Sequence, residues 1–180
     1  MRSVSPEHFA KVDYDVGHLG ALLERAAALV PALPPDADIE VVIDEERSTS
    51  RAWLRAGPPW RLEVEGGAVE DPSRPRTVGE DRALGVFCRL LWEVADRSDP
   101  SFGTPPPGPP EDPLLRAAWD VHCYGRTARS GVEVHQARHR YDFRNRAGFS
   151  DAADAAFDRL WQGRASSWDD IVASVAGLGR

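Results

Sequence analysis

The sequence predicts an α+β domain. Two long stretches carry apolar residues at helical spacing, at 16–30 and 78–96. Three short stretches between them alternate with a period of two, at 39–44, 51–56 and 60–65. Beyond residue 113 the patterning is mostly helical, with one further strand. Strands grouped before helices favour α+β over an alternating α/β order. The expected arrangement is an N-terminal helix, an antiparallel meander of three to four strands, a core helix, and a mostly helical C-terminal half contributing one further strand. The whole of 1–180 is read as a single domain, with a Pro-rich crossover at 100–113 joining a sheet-rich N-terminal half to a helical C-terminal half.

The first helix runs from Val16 to about Val30, with Asp15 placed to accept from the free N–H groups of its first turn. Leu19, Leu22, Leu23, Ala26, Ala27 and Val30 form its apolar stripe, and "PALPPDAD" ends it. In the strands, Ile39, Val41 and Ile43 alternate with Glu40, Val42 and Asp44. Ala52, Leu54 and Ala56 alternate with Arg51, Trp53 and Arg55, and Trp60, Leu62 and Val64 with Arg61, Glu63 and Glu65. Such alternation fits a sheet packed on one face, and the short links fit a meander. A turn at "EGGAVED" leads to a short fourth strand.

The core helix is expected over Val78–Asp96. Thr77 and Glu80 have the spacing of a capping box, and Ala83, Leu84, Phe87, Leu90, Leu91, Val94 and Ala95 make a wide apolar face beside Cys88. Glu93 falls opposite or beside that face and is expected to be exposed. Seven prolines between Pro100 and Pro113 favour extended geometry, as a spacer, an ordered surface crossover or a proline-motif ligand. Asp112 and Pro113 open another helix, which frays near Gly125. Ser150 caps "DAADAAFDRLWQG", which stops at Gly163, and Ser167 starts a last short helix.

Composition bounds the function. The 42% hydrophobic content and six Trp exclude a disordered chain, and no apolar run approaches a membrane span. The N-terminus has no apolar signal core, and Cys88 and Cys123 follow no C-x-x-C spacing, so reduced thiols in the cytoplasm are expected. A single lysine, Lys11, among 22 basic residues is the usage of a GC-rich bacterial genome. The formal net charge of −7 makes nucleic acid an unlikely partner. The charge is uneven, however. Residues 116–146 hold seven Arg against Asp120, Glu133 and Asp142, whereas residues 36–71 hold ten acids against four Arg. The two segments either polarise the molecule or neutralise each other.

The densest chemistry lies at 130–146, "SGVEVHQARHRYDFRNR". If this segment is a helix, His135 and His139 share a face at roughly 5–6 Å between Cβ atoms and could share a metal ion. If it is a strand, they lie about 13 Å apart and cannot be ligands of one ion. Val132, Val134, Tyr141 and Phe143 favour the strand, while Ser130 with Glu133 keeps a capped helix open. On a strand, His135, Ala137, His139, Tyr141 and Phe143 take one face and Arg138, Arg140 and Arg144 the other. The guanidinium row suits carboxylate or phosphate, although structural pairing or solvation is the more economical reading. The ligand or anion candidates are therefore His135, Arg138, His139, Arg140, Tyr141 and Arg144.

Other candidates are weaker. The histidine pair matches no zinc signature, so neither metal nor cofactor is expected. Cys123, with His122 beside it, could be a nucleophile but reads better as a core thiol. The acids Asp44, Glu45 and Glu46 could hold a cation, yet a solvated turn is commoner. Trp53 and Trp60 read as buried. There is no G-x-S-x-G elbow and no Gly-rich phosphate loop. The leading expectation is a non-catalytic, immunity-like or enzyme-accessory binding protein with an Arg-rich recognition strip. The alternatives are a small enzyme acting on an anionic metabolite and a weak nucleic-acid contact.

Overall fold

The computed structural model describes residues 1–55 and 57–179. Its packing separates two compact units, Met1–Ala95 and Asp96–Arg180. The fold is α+β: among the described residues there are six helices, a four-stranded mixed sheet and a small two-stranded sheet.

The first unit contains β1 (Arg2–Ser5), α1 (Val16–Ala28), β2 (Ile39–Asp44), β3 (Ala52–Leu54), β4 (Trp60–Glu65), β5 (Glu70–Asp71) and β6 (Arg74–Val78), together with α2 (Glu80–Ser98) as far as Ala95. Asp15 caps α1 as expected, accepting from the His18 N–H at 2.6 Å. The first and third alternating stretches form strands as read and the second shortens to Ala52–Leu54, with Ile39, Val41, Ile43, Leu54, Trp60, Leu62 and Val64 buried. Ala56, assigned to the second of them, lies outside the described residues.

Their pairing is not a meander. The sheet order is β1-β2-β4-β3; β1 and β4 run parallel to β2, and only β3 is antiparallel to β4. β3 pairs on the far side of β4 instead of between β2 and β4, and β1 adds a short parallel edge strand that pairs Val4 with Val41 and makes α1 a crossover between parallel neighbours. β5 and β6 form a separate hairpin, which takes Thr77 into a strand. The Thr77 hydroxyl donates to the Arg74 carbonyl at 2.8 Å, so the expected capping box with Glu80 does not form.

Residues 83–96 of α2 are buried without interruption, Glu93 included at 6% exposure. The expected exposure of Glu93 is thus corrected. Arg89, one turn earlier, forms an ion pair with it and also donates to the Ala52 carbonyl at 2.6 Å. A buried carboxylate persists only when it is paired and hydrogen-bonded in this way. Cys88 is fully buried against the Ala26 carbonyl, and burial pushes its thiol up to about 12.

The second unit contains α3 (Pro113–Arg129), α4 (Gln136–Ala147), α5 (Asp151–Trp161) and α6 (Trp168–Val175). Asp112, Ser150 and Ser167 cap α3, α5 and α6, each accepting from a backbone N–H two or three residues on. α3 packs against all three of the others and runs through Gly125 to Arg129 instead of fraying there. The proline segment is tied to the residues that flank it. Phe102 is buried at its start, Arg97 donates to the Gly108 carbonyl at 2.9 Å, and Arg116 donates to the Pro110 carbonyl at 2.7 Å. No strand forms in this unit among the described residues: the segment read as one is the helix α4.

Candidate functional site

α4 begins at Gln136, with His135 at its N-cap making no side-chain capping bond. Arg, Gln and Ala are strong helix formers, and they fill the positions where the alternation suggested a strand. Its inward stripe is His139, Phe143 and Ala147, at spacing i, i+4, i+8. Phe143 meets Phe157 of α5 at 6.0 Å between ring centroids, and the His139 ring lies against Tyr124 of α3 at 3.9 Å. A histidine serving as a stacked ring within this stripe is what disguised the helical period.

Helical winding redistributes the residues expected on two strand faces among three faces of the helix. His139 points inward. Arg140 and Arg144 face α5: Arg144 Nε donates to Asp154 Oδ1 at 2.7 Å and its Nη2 to the other oxygen, while Arg140 bonds Asp154 and Asp158. These fork-on-fork pairs hold the Asp154 carboxyl below its ordinary range. The two guanidinium groups find their acids on the neighbouring helix, four residues apart, rather than on the strand segment 36–71 proposed for them.

The outward face carries Arg138, Tyr141, Asp142 and Asn145, and beyond the helix end Phe149. Tyr141 is 59% exposed and Phe149 66%. Their rings meet edge to face at 6.0 Å, and the Arg144 guanidinium approaches the Phe149 ring at 5.9 Å. Arg138 lies 4.0 Å from Asp142, with both side chains more than half exposed, and Arg146 donates to the Asp142 carbonyl at 2.7 Å. His135 is exposed at the N-cap. Phe149 is absent from the sequence-derived candidates. Its signal was the order Gly148-Phe149-Ser150: a helix stop, one residue, then a helix cap leaves no room to fold the ring inward.

The remaining candidates are engaged internally. Cys123 is fully buried beside Asp96, whose carboxylate receives Trp119 Nε1 at 2.8 Å and both terminal nitrogens of Arg126 at 2.7 and 2.6 Å. Burial acts to lower the Arg126 pKa, but Cys123 and Asp96 outweigh it and the net shift is upward. His122 is 3% exposed, and burial, with Arg126 and Arg129 nearby, lowers its pKa to about 3. In the first unit, Glu45 receives the Ala10 and Lys11 N–H groups, Glu46 pairs with Lys11, and Asp44 lies 3.1 Å from Arg47. These acids tie loops together. Among the described residues, no three His, Cys, Asp or Glu side chains converge where a metal ion could sit.

No family model, curated protein or solved structure matches this chain. No helix among the described residues is long and apolar enough to cross a membrane.

Proposed function

We propose that this chain is a non-catalytic binding protein of the cytosol, with an immunity-like or enzyme-accessory role, and that it engages a protein partner through the outer face of α4. The observation that carries this reading is the Tyr141–Phe149 pair, two large rings left in water on a helix that also exposes Arg138 and Arg146. Water-exposed aromatics cost hydration free energy that intramolecular burial would recover. Tyr, Phe and Arg are also the side chains enriched at the centres of protein interfaces.

The residues an enzyme would need are dispersed: Cys123 is sealed in the core, His139 is stacked on Tyr124, and His135 stands in solvent at a helix end. The test uses the full chain as bait in lysate of its native cell, beside a Tyr141→Ser/Phe149→Ser variant whose circular dichroism matches it. A partner retained by the native chain and lost by the variant supports the reading. Equal retention by both, or turnover of a small anionic substrate by the purified chain, refutes it.

A further inference from the structure

We infer that the partner surface recognised by α4 is an acidic segment with an apolar side chain at its centre. This rests on the reading of α4 as a docking face and adds the chemistry of what docks.

Charge complementarity carries the inference. α4 holds Arg138, Arg140, Arg144 and Arg146 against one acid, Asp142. Arg140 and Arg144 are spent on Asp154 and Asp158. Arg138 is not held in the same way: its partner Asp142 lies at 4.0 Å, and the two side chains are 60% and 54% exposed. A surface pair of that kind is worth little and is readily exchanged for a better acceptor. Among the described residues, Arg146 bonds a main-chain carbonyl of its own helix and pairs with no carboxylate. Tyr141 lies three residues after Arg138, and Phe149 three residues after Arg146. The exposed side of the helix therefore carries two rings in water together with two exposed guanidinium groups, Arg138 and Arg146. Its complement is an apolar side chain flanked by carboxylates, because guanidinium forks match carboxylate geometry.

Single-stranded nucleic acid fits less well. Arg140 and Arg144 are already neutralised by Asp154 and Asp158, which leaves fewer cations for a phosphate chain. Asp142 also stands on this face and would oppose a phosphate chain.

Fluorescence anisotropy of the full chain with a short fluorescein-labelled peptide of Asp and Glu, carrying leucines at helical spacing, tests the inference. Saturable binding is expected. It should weaken on the order of tenfold or more with Tyr141→Ser/Phe149→Ser, with Arg138→Glu/Arg146→Glu, and when the peptide leucines become serine. All four side chains are exposed or carry no buried bond, so both variants should keep the native melting temperature.

The inference is overturned if the peptide with its acids replaced by lysine binds as well, if neither variant weakens binding, or if a labelled oligothymidylate binds more tightly than the acidic peptide. Concentration-dependent self-association in sedimentation, lost in Tyr141→Ser/Phe149→Ser, would assign the face to a second copy and also overturn it. If the acidic peptide fails while the partner captured from lysate still depends on Tyr141 and Phe149, the partner chemistry falls and the docking face stands. If neither depends on them, both fall.

Discussion

Gly125 of α3 lies against the backbone of Trp161 of α5, so close that a methyl group on Gly125 would come within 2.8 Å of the Trp161 α carbon. The two helices pack at this point without a side chain between them. Gly125→Ala must push them apart, and overpacking of this kind costs about 1–3 kcal/mol. Gly20→Ala in α1 is the matched control, since nothing lies within 4 Å of the added carbon. That change should be neutral or should stabilise by up to about 1 kcal/mol through helix propensity. Urea unfolding of the two variants should move the midpoint in opposite directions, or leave it unchanged for Gly20→Ala.

Asp96 is the counter-charge of Arg126 and the acceptor for Trp119 Nε1, at 3% side-chain exposure. Asp96→Asn keeps the shape and removes the charge. Depriving a largely buried guanidinium of its carboxylate should cost on the order of 3–5 kcal/mol. Thermal unfolding followed by tryptophan fluorescence would register both the lost stability and the altered surroundings of Trp119. A loss below 1 kcal/mol would show that water replaces the carboxylate freely.

His122 makes stability depend on pH between neutrality and pH 5. Burial, aided by Arg126 and Arg129, lowers its pKa to about 3 in the folded chain, against 6.5 ordinarily. Above pH 6.5 the ring is neutral in both states and its contribution is complete. As the pH falls below that value, the unfolded chain takes up a proton that the folded chain refuses. About 2 kcal/mol should be gone by pH 5. The lowered carboxyls of Glu65, Asp154 and Asp170 have ordinary values of 3.8 to 4.5, so they act chiefly at lower pH. Denaturant titrations at a series of pH values should show this slope, and His122→Phe should flatten it.

Gly148 ends α4 with φ at 93°, and nothing lies within 4 Å of where a Cβ would stand. The cost of Gly148→Ala is therefore one of backbone conformation alone, about 1–3 kcal/mol. Hydrogen exchange should quicken first in the amides of α4 and the start of α5.

Much of the fold was legible because its signals are local. A helix cap is one side chain and a backbone N–H two or three residues on, so Asp15, Asp112, Ser150 and Ser167 could be read directly. Strand direction is not local. It is set by which strands pair: β4 lies beside β2 with β3 outside it, and Arg2–Ser5, four residues with one apolar side chain, pair with β2 across the whole of α1. Thr77 and Glu80 had the spacing of a cap, but β5 claimed Thr77 for a hairpin. At the candidate site, Tyr141 and Arg138 were legible as chemistry but not as geometry. The alternation of His135, Ala137, His139 and Tyr141 imitated a strand, while the stripe that governs the segment passes through His139, Phe143 and Ala147. The carboxylates that divide the arginines, Asp154 and Asp158, lie 10 to 18 residues farther along the chain.

Those two aspartates have a wider consequence. By acting as built-in counter-ions, they set how strongly α4 can attract polyanions in general. With Arg140 and Arg144 neutralised from within, few counter-ions remain on the helix to be released, and that release is what drives indiscriminate adhesion to nucleic acid. An arginine-rich helix thereby keeps less free positive charge than its sequence suggests, and the restraint is encoded on a neighbouring helix.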